Sequence, residues 1–226
     1  MTQPDTGSTG PQSYVGEIPD GAKGFDCLQS LTADECAAMV RDGFVFAGRY
    51  LETLSLGEVA TILRSGLGLV LIGESAAVDW KPSAPAGVAR GQAMVTRARA
   101  LGIPQGMALV IDYEGPWQSA TGTDCTAWIT NCAAEIDHGG FAASLYVGWR
   151  PILTPAQLAA LPGIPRYWSA YPTGHDLPCG YTMRQQQPDN QRINGVLVDV
   201  DRAQADAHAP PRCPLALWGS QRQVSA

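Results

Sequence analysis

From residue 22 onward the chain alternates between two hydrophobic rhythms. Short runs rich in Val, Ile, Leu, Phe and Tyr recur at 22–27, 44–51, 67–74, 106–114 and 142–149. Their length and their aliphatic and aromatic content predict buried strands. Between them lie segments of helical period. Three open on capping boxes: Thr32 with Glu35, Ser55 with Glu58, and Thr154 with Gln157, the last with proline at the first helical position. A fourth helix is expected over 87–102, closed by Leu101-Gly102. A fifth, over 123–137, carries Cys125, Trp128, Ile129, Cys132, Ala133 and Ile136 as an apolar stripe at helical spacing.

Five such alternations predict a parallel sheet covered by helices. The rhythm then changes. Strand candidates at 165–171, 181–186 and 193–200 are joined by links too short for helical crossovers, which need about a dozen residues. Eight strands with five helices fit the α/β class as a TIM-like (β/α) barrel whose last three strands lack regular helices. A doubly wound open sheet fits less well, because the first strand runs into GFDCLQS rather than a Gly-rich phosphate loop. The expected organisation is a flexible arm at 1–21, a barrel at 22–203, and an irregular Pro-rich tail at 204–226 packed on the barrel. The arm lacks the basic region and apolar core of a signal peptide, and no apolar run approaches the ~18 residues of a membrane span.

In β/α barrels, functional groups gather at the C-terminal ends of the strands. Here those ends read Asp26, Arg49 with Tyr50, Glu74, Asp112 with Glu114, Tyr146 with Trp149, Trp168 with Tyr171, Gln185 and Asp199. The fourth is the most telling. In LVIDYEGPW (109–117), an aliphatic run ends in two carboxylates with one residue between them. Strand residues i and i+2 share a face, so Asp112 and Glu114 would repel each other at the barrel mouth. Such a liability calls for a neutralising partner or a chemical use. Arg49 and Glu74 read equally as an ion pair inside the mouth or as substrate contacts. Asp199 and Asp201 share a face, and only Asp199 is expected close to the mouth. One aromatic of YWSAY (167–171) should face the cleft.

Composition narrows the function. The formal charge is −6 and the isoelectric point is near 5.0, which argues against a nucleic-acid partner, whose binders present a basic face. The six cysteines show no zinc-type spacing, and the chemistry expected here needs neither a metal nor a cofactor. Cys125 and Cys132 read as buried free thiols on one helix face, while Cys179 and Cys213 are placed to pair after release from a cell. His138, His175 and His208 fall in turn or tail sequence, outside any Ser-His-Asp or Cys-His arrangement. What remains at the strand ends is carboxylate, aromatic and amide. That set suits a sugar, whose faces stack on rings and whose hydroxyls and glycosidic oxygen engage carboxyl groups.

GFD on the first strand, FAGRYL on the second, IDYE on the fourth, YWSAY on the sixth and a late GVLVDVD resemble a known family. It is the glycoside-hydrolase-like barrel domain of actinobacterial secreted proteins and phage lysins, similar to the family-25 lysozymes. Their barrel likewise has five helices and three unaccompanied final strands. The resemblance spans 22–203. It implies that Glu114 is the proton donor and Asp112 the carboxylate that orients or stabilises. Asp26 and Asp199 would be flanking acids, with Tyr171 and Gln185 near the sugar. A chitinase-type pattern is absent, since Val110 stands where its additional aspartate would be.

The expectation is a muramidase-like glycoside hydrolase cutting bacterial cell-wall peptidoglycan, with Asp26, Asp112, Glu114 and Asp199 as its acids. Arg49, Tyr50, Glu74, Tyr146, Trp168, Tyr171 and Gln185 would contact substrate. No membrane partner is expected. Without a signal peptide, the protein would reach the wall after lysis or as part of a phage virion or tail. The alternative is a non-hydrolytic glycan-binding or virion structural protein that keeps the barrel.

Overall fold

The structure, a computed structural model, describes residues 13–74, 80–116, 118–170 and 177–203, with the backbone of 214–218. An outlying strand, β1 (Ser13–Glu17), precedes the barrel. The parallel strands then follow as β2 (Lys23–Cys27), β3 (Phe46–Tyr50), β4 (Gly68–Gly73), β5 (Ala108–Tyr113), β6 (Ala142–Val147) and β7 (Tyr167–Ser169). β8 (Met183–Ile193) runs parallel to β7, and β9 (Val196–Ala203) closes the barrel antiparallel to both β8 and β2. The result is a closed, mixed eight-stranded barrel of the TIM-like α/β kind, with five helices outside it.

The helices form where capping chemistry dictates. α1 (Ala33–Arg41) and α5 (Pro155–Ala159) begin on complete capping boxes at Thr32 and Thr154. α2 (Leu56–Ser65) uses only the Ser55 half of its box, because the Glu58 carboxylate is engaged elsewhere. α3 (Ala84–Ala100) starts earlier than expected, at a Ser83 cap followed by Pro85. α4 (Gly122–His138) starts on a full Thr121–Asp124 box. α3 and α4 approach closely at two glycines. A Cβ at Gly87 would lie 2.2 Å from the Trp128 carbonyl oxygen, and one at Gly91 would lie 2.6 Å from that of Cys132. Cys125 and Cys132 are buried free thiols on the inner face of α4.

Strand alternation splits the core into two layers. Phe46, Val70, Ile72, Ala108, Val110, Trp168 and Met183 fill the lower barrel interior. Their strand neighbours, including Ala47, Leu69, Leu71, Leu109, Ile111 and Tyr113, pack outward against the helices.

Two segments depart from the sequence expectation. The expected strand 193–200 begins inside a turn: Asn194 (φ 51°) and Gly195 (φ 86°) link Ile193 to its partner Val196. Two successive left-handed residues make the I′ hairpin that Asn-Gly favours, so β9 returns antiparallel. The hairpin tip reaches α1, where Asn194 donates to Asp42, while the Leu197 N–H donates to Gln29. The second departure lies at the termini. Ser13–Glu17, within the expected arm, pairs with β10 (Pro214–Trp218), within the expected irregular tail. β10 in turn bridges to β4 through Ala216 and Leu69.

Candidate active site

The inward-facing positions at the C-terminal ends of the parallel strands carry the candidate chemistry. Asp26 on β2 has Gly48 of β3 on one side and Asp199 of β9 on the other. Because β9 is antiparallel, its earlier residue, Asp199, lies nearer the mouth and Asp201 lies deeper, opposite Gly24. Asp112 ends β5 on the inner face, and Glu114 follows just above it. Asp26 and Asp112 are buried, whereas Glu114 and Asp199 are half-buried and reach solvent. The structure therefore brings Asp26, Asp112, Glu114 and Asp199 to one mouth, as expected from the strand ends.

Glu114 is held from several sides. Its carbonyl accepts a hydrogen bond from Trp80 Nε1 at 2.7 Å, and Trp80 packs on Trp128 of α4 with ring centroids 4.4 Å apart. The close α3–α4 contact thus reaches the backbone of Glu114 through two indoles. The next residue, Gly115, donates its N–H to the Trp149 carbonyl at 2.9 Å, while the Trp149 N–H donates to the Glu114 carboxylate. Glycine is required at position 148: a Cβ there would lie 2.8 Å from both Cβ and Oε2 of Glu114. Burial raises the Glu114 carboxyl above the ordinary range and the charge of Asp199 adds to this, while the Trp149 N–H opposes it.

Asp26 and Asp199 are raised as well. Burial is the main cause for Asp26, reinforced by the negative charges of Asp199, Asp112 and Glu114, while a hydrogen bond with Asp201 opposes them. Asp199 is raised by burial and by Asp189, against the Asn190 N–H that donates to its Oδ1 at 2.6 Å. Tyr50 and Tyr146 line the same mouth. Burial and the surrounding carboxylates hold both phenols protonated far above their usual range. Tyr146 donates to Gln185 Oε1 at 2.9 Å and meets Trp168 edge-on. The mouth therefore combines acidic groups that retain protons with phenol donors and an amide, which is equipment for general acid chemistry.

Three sequence expectations need correction. Arg49 does not enter the mouth, because strand alternation sends it to the outer face while Tyr50 takes the inner one. There it is fully buried, its Nε 2.7 Å from Glu58, and it also donates to the Cys27 carbonyl. Its ion-pair partner is accordingly Glu58 and not Glu74, which sits exposed at the rim with its N–H on Glu52. Trp168 is only 1% exposed, so it offers no face to a ligand; it walls the barrel floor and donates to Asp201 Oδ1. Asp201, which the sequence reading kept away from the mouth, lies deeper than Asp199 as expected, but its contact with Asp26 was not foreseen. It is fully buried against Asp26, and the Asn194-Gly195 turn, by reversing β9, sets its depth. Tyr171 lies outside the described residues, as do Trp117, His175, His208 and Cys213, the suggested partner of Cys179.

Residues 37–205 match the Rv2525c-like, glycoside hydrolase-like domain. The chain belongs to this family. The match includes Asp112, Glu114, Asp199 and Asp201, and Asp26 precedes it. Among solved structures, an uncharacterised protein of B. stearothermophilus shares 21% identity over 84% of this chain and 98% of that one, with a TM-score of 0.65. The Tat-secreted protein Rv2525c of Mycobacterium tuberculosis, solved with L-tartrate, shares 18% over 84% and 98%, with a TM-score of 0.63. A bacterial lysozyme from Streptomyces coelicolor shares 14% over 84% and 95%, with a TM-score of 0.50. At these identities the likeness is one of fold. No curated protein sequence matches the chain. The glycoside hydrolase-like domain thus has a barrel shared with a lysozyme.

Proposed function

We propose that this glycoside hydrolase-like barrel is a hydrolase of bacterial cell-wall peptidoglycan, with Glu114 as general acid. The observation that carries this reading is the convergence of Asp26, Asp112, Glu114 and Asp199 at one solvent-reached mouth, with Glu114 holding its proton above the ordinary range. A proton-holding carboxyl beside further carboxylates is what protonation of a glycosidic oxygen requires. Asp112, on the same face and one position deeper, would stabilise the positive charge that develops as the bond breaks. Tyr50 supplies a hydroxyl donor for the sugar, and Tyr146, whose O–H is given to Gln185, an acceptor oxygen. No step in this scheme needs a metal or an organic cofactor.

The test is incubation of the purified chain with peptidoglycan and measurement of new reducing ends. Release by the wild type and its loss in Glu114→Gln support the hydrolase. In the second reading, a non-hydrolytic glycan-binding or phage virion structural protein, the acidic cluster would serve recognition alone. This reading takes the lead if the protein sediments with cell walls and releases nothing.

A further inference from the structure

Behind Asp26 lies a carboxyl group that the scheme above leaves unused. Asp201 is fully buried, and its Oδ1 accepts the Trp168 indole N–H at 3.0 Å. Its carboxyl lies within hydrogen-bonding reach of Asp26, itself 9% exposed. Both groups are packed in place: a Cβ at Gly48 would lie 2.8 Å from Asp26 Cβ and 3.4 Å from the Trp168 ring. Among the described residues, no N–H or O–H donates to Asp201 Oδ2.

Among the described residues, the groups facing the pair supply no counter-charge. Asp199 lies on β9, Asp112 and Glu114 on and above β5, and the neutral Tyr50, Tyr146, Trp168 and Gln185 on β3, β6, β7 and β8. Arg49 on β3 is bound to Glu58 on the opposite face of the wall. Two ionised carboxylates touching in a dry interior would repel strongly, and one Asp201 oxygen would be stranded. A single proton between them removes one charge and satisfies the stranded oxygen together.

We propose that Asp201 is a positioning residue for Asp26, the two carboxyl groups sharing one proton so that the pair presents a single negative charge at the floor of the mouth. The shared proton stands on the geometry alone; its use, holding Asp26 in place and limiting the negative charge around Glu114 and Asp112, rests on the glycosidase reading. As pH rises, loss of that proton would add a negative charge beneath the mouth.

Infrared spectroscopy of the ligand-free full chain tests this. Glu114→Gln/Asp199→Asn serves as the parent, since the two changes remove the other raised acids of the mouth. Near neutral pH the parent should show a protonated buried carboxyl stretch. Adding Asp201→Asn or Asp26→Asn should abolish it, because the amide N–H takes the place of the shared proton. Should one of these fail to fold, the other gives the same reading. A second measurement is the pH dependence of urea unfolding. Between the unfolded carboxylate range near ~4 and the raised range of the pair, the folded parent keeps one proton that the unfolded chain releases. Its stability therefore falls as pH rises, and Asp201→Asn should flatten that fall by one proton. In the otherwise wild-type enzyme, Asp201→Asn should also move the alkaline limb of hydrolysis to higher pH, which a merely structural role would not do. Absence of the carboxyl stretch in the parent, its survival in both Asn variants, or equal slopes would overturn the inference. A confirmed shared proton without wall hydrolysis would sink the glycosidase reading and leave this one standing.

Discussion

On the outer face of β3, Arg49 is buried beside Glu58, and the same carboxylate oxygen also accepts the Leu31 N–H at 3.0 Å. On the inner side of the wall, Asp26 and Asp201 are also buried, and the charges acting on Asp26 are those of Asp199, Asp112 and Glu114. The first cluster is neutral overall and ties β3 to α2 and to the loop before α1. The second leaves carboxyl groups whose protons are held above their usual range. Burial alone therefore does not mark a functional charge. The distinction lies in whether the fold supplies the opposite charge, and among the described residues it does so on the helix side alone.

The largest effect should follow from breaking the compensated cluster. Arg49→Ala leaves Glu58 buried without its cation and should lower folding stability by about 3–5 kcal/mol, read from urea denaturation. A loss below about 1 kcal/mol would mean that water relieves Glu58 and that the two clusters differ less than argued.

The uncompensated cluster should respond in the opposite way. Glu114→Gln should keep or slightly raise the melting temperature, since it removes a repelled carboxyl, while reducing-end release falls at least ~10²-fold. A melting temperature lowered by several degrees with activity retained would place Glu114 among structural partners.

Gly148→Ala probes the space reserved for Glu114. The added Cβ would overlap the Glu114 side chain at 2.8 Å, so a stability loss of about 1–3 kcal/mol is expected. It should come with a changed Glu114 titration, followed by NMR of its carboxyl carbon. Unchanged titration would show that the carboxyl is not confined there.

Thr121→Ala is a control away from both clusters. It removes the α4 cap and should cost about 1 kcal/mol with no change in hydrolysis.

The smallest effect is one of pH. Because the Glu114 carboxyl is raised in the fold, the folded chain binds its proton more tightly than the unfolded chain. This contribution is complete below the unfolded carboxylate range and is lost as pH climbs toward the folded value. Wild-type stability should thus decline across that window more steeply than that of Glu114→Gln, and parallel curves would refute the shift.

Local signals were sufficient for most elements. The boxes at Thr32 and Thr154 start α1 and α5 where sequence reading put them, since a cap involves only neighbouring residues. Asp112 and Glu114 were legible as a pair for the same reason: same-face placement follows from the two-residue period of one strand. What the sequence alone did not determine was which parity faces inward. Arg49 and Tyr50 both end β3, and only the pairing of Gly48 with Asp26 and Val70 turns Tyr50 into the mouth and Arg49 toward α2.

Sequence reading did keep Asp199 nearer the mouth than Asp201, but the cause of that order is tertiary. Asp199 and Asp201 share a face on any strand, yet their order from mouth to floor depends on strand direction, which the Asn194-Gly195 turn reverses. The two outlying strands arise from contacts between the chain's ends, nearly the whole sequence apart, where no local period carries the information. Sequence by itself therefore determined which residue types end each strand and that two acids sit side by side on β5. Closure of the barrel decided which of those residues meet and which acids lie in the dry interior. Proximity across the barrel and exclusion of water belong to the folded chain as a whole, and it is these that raise the carboxyl groups of the mouth.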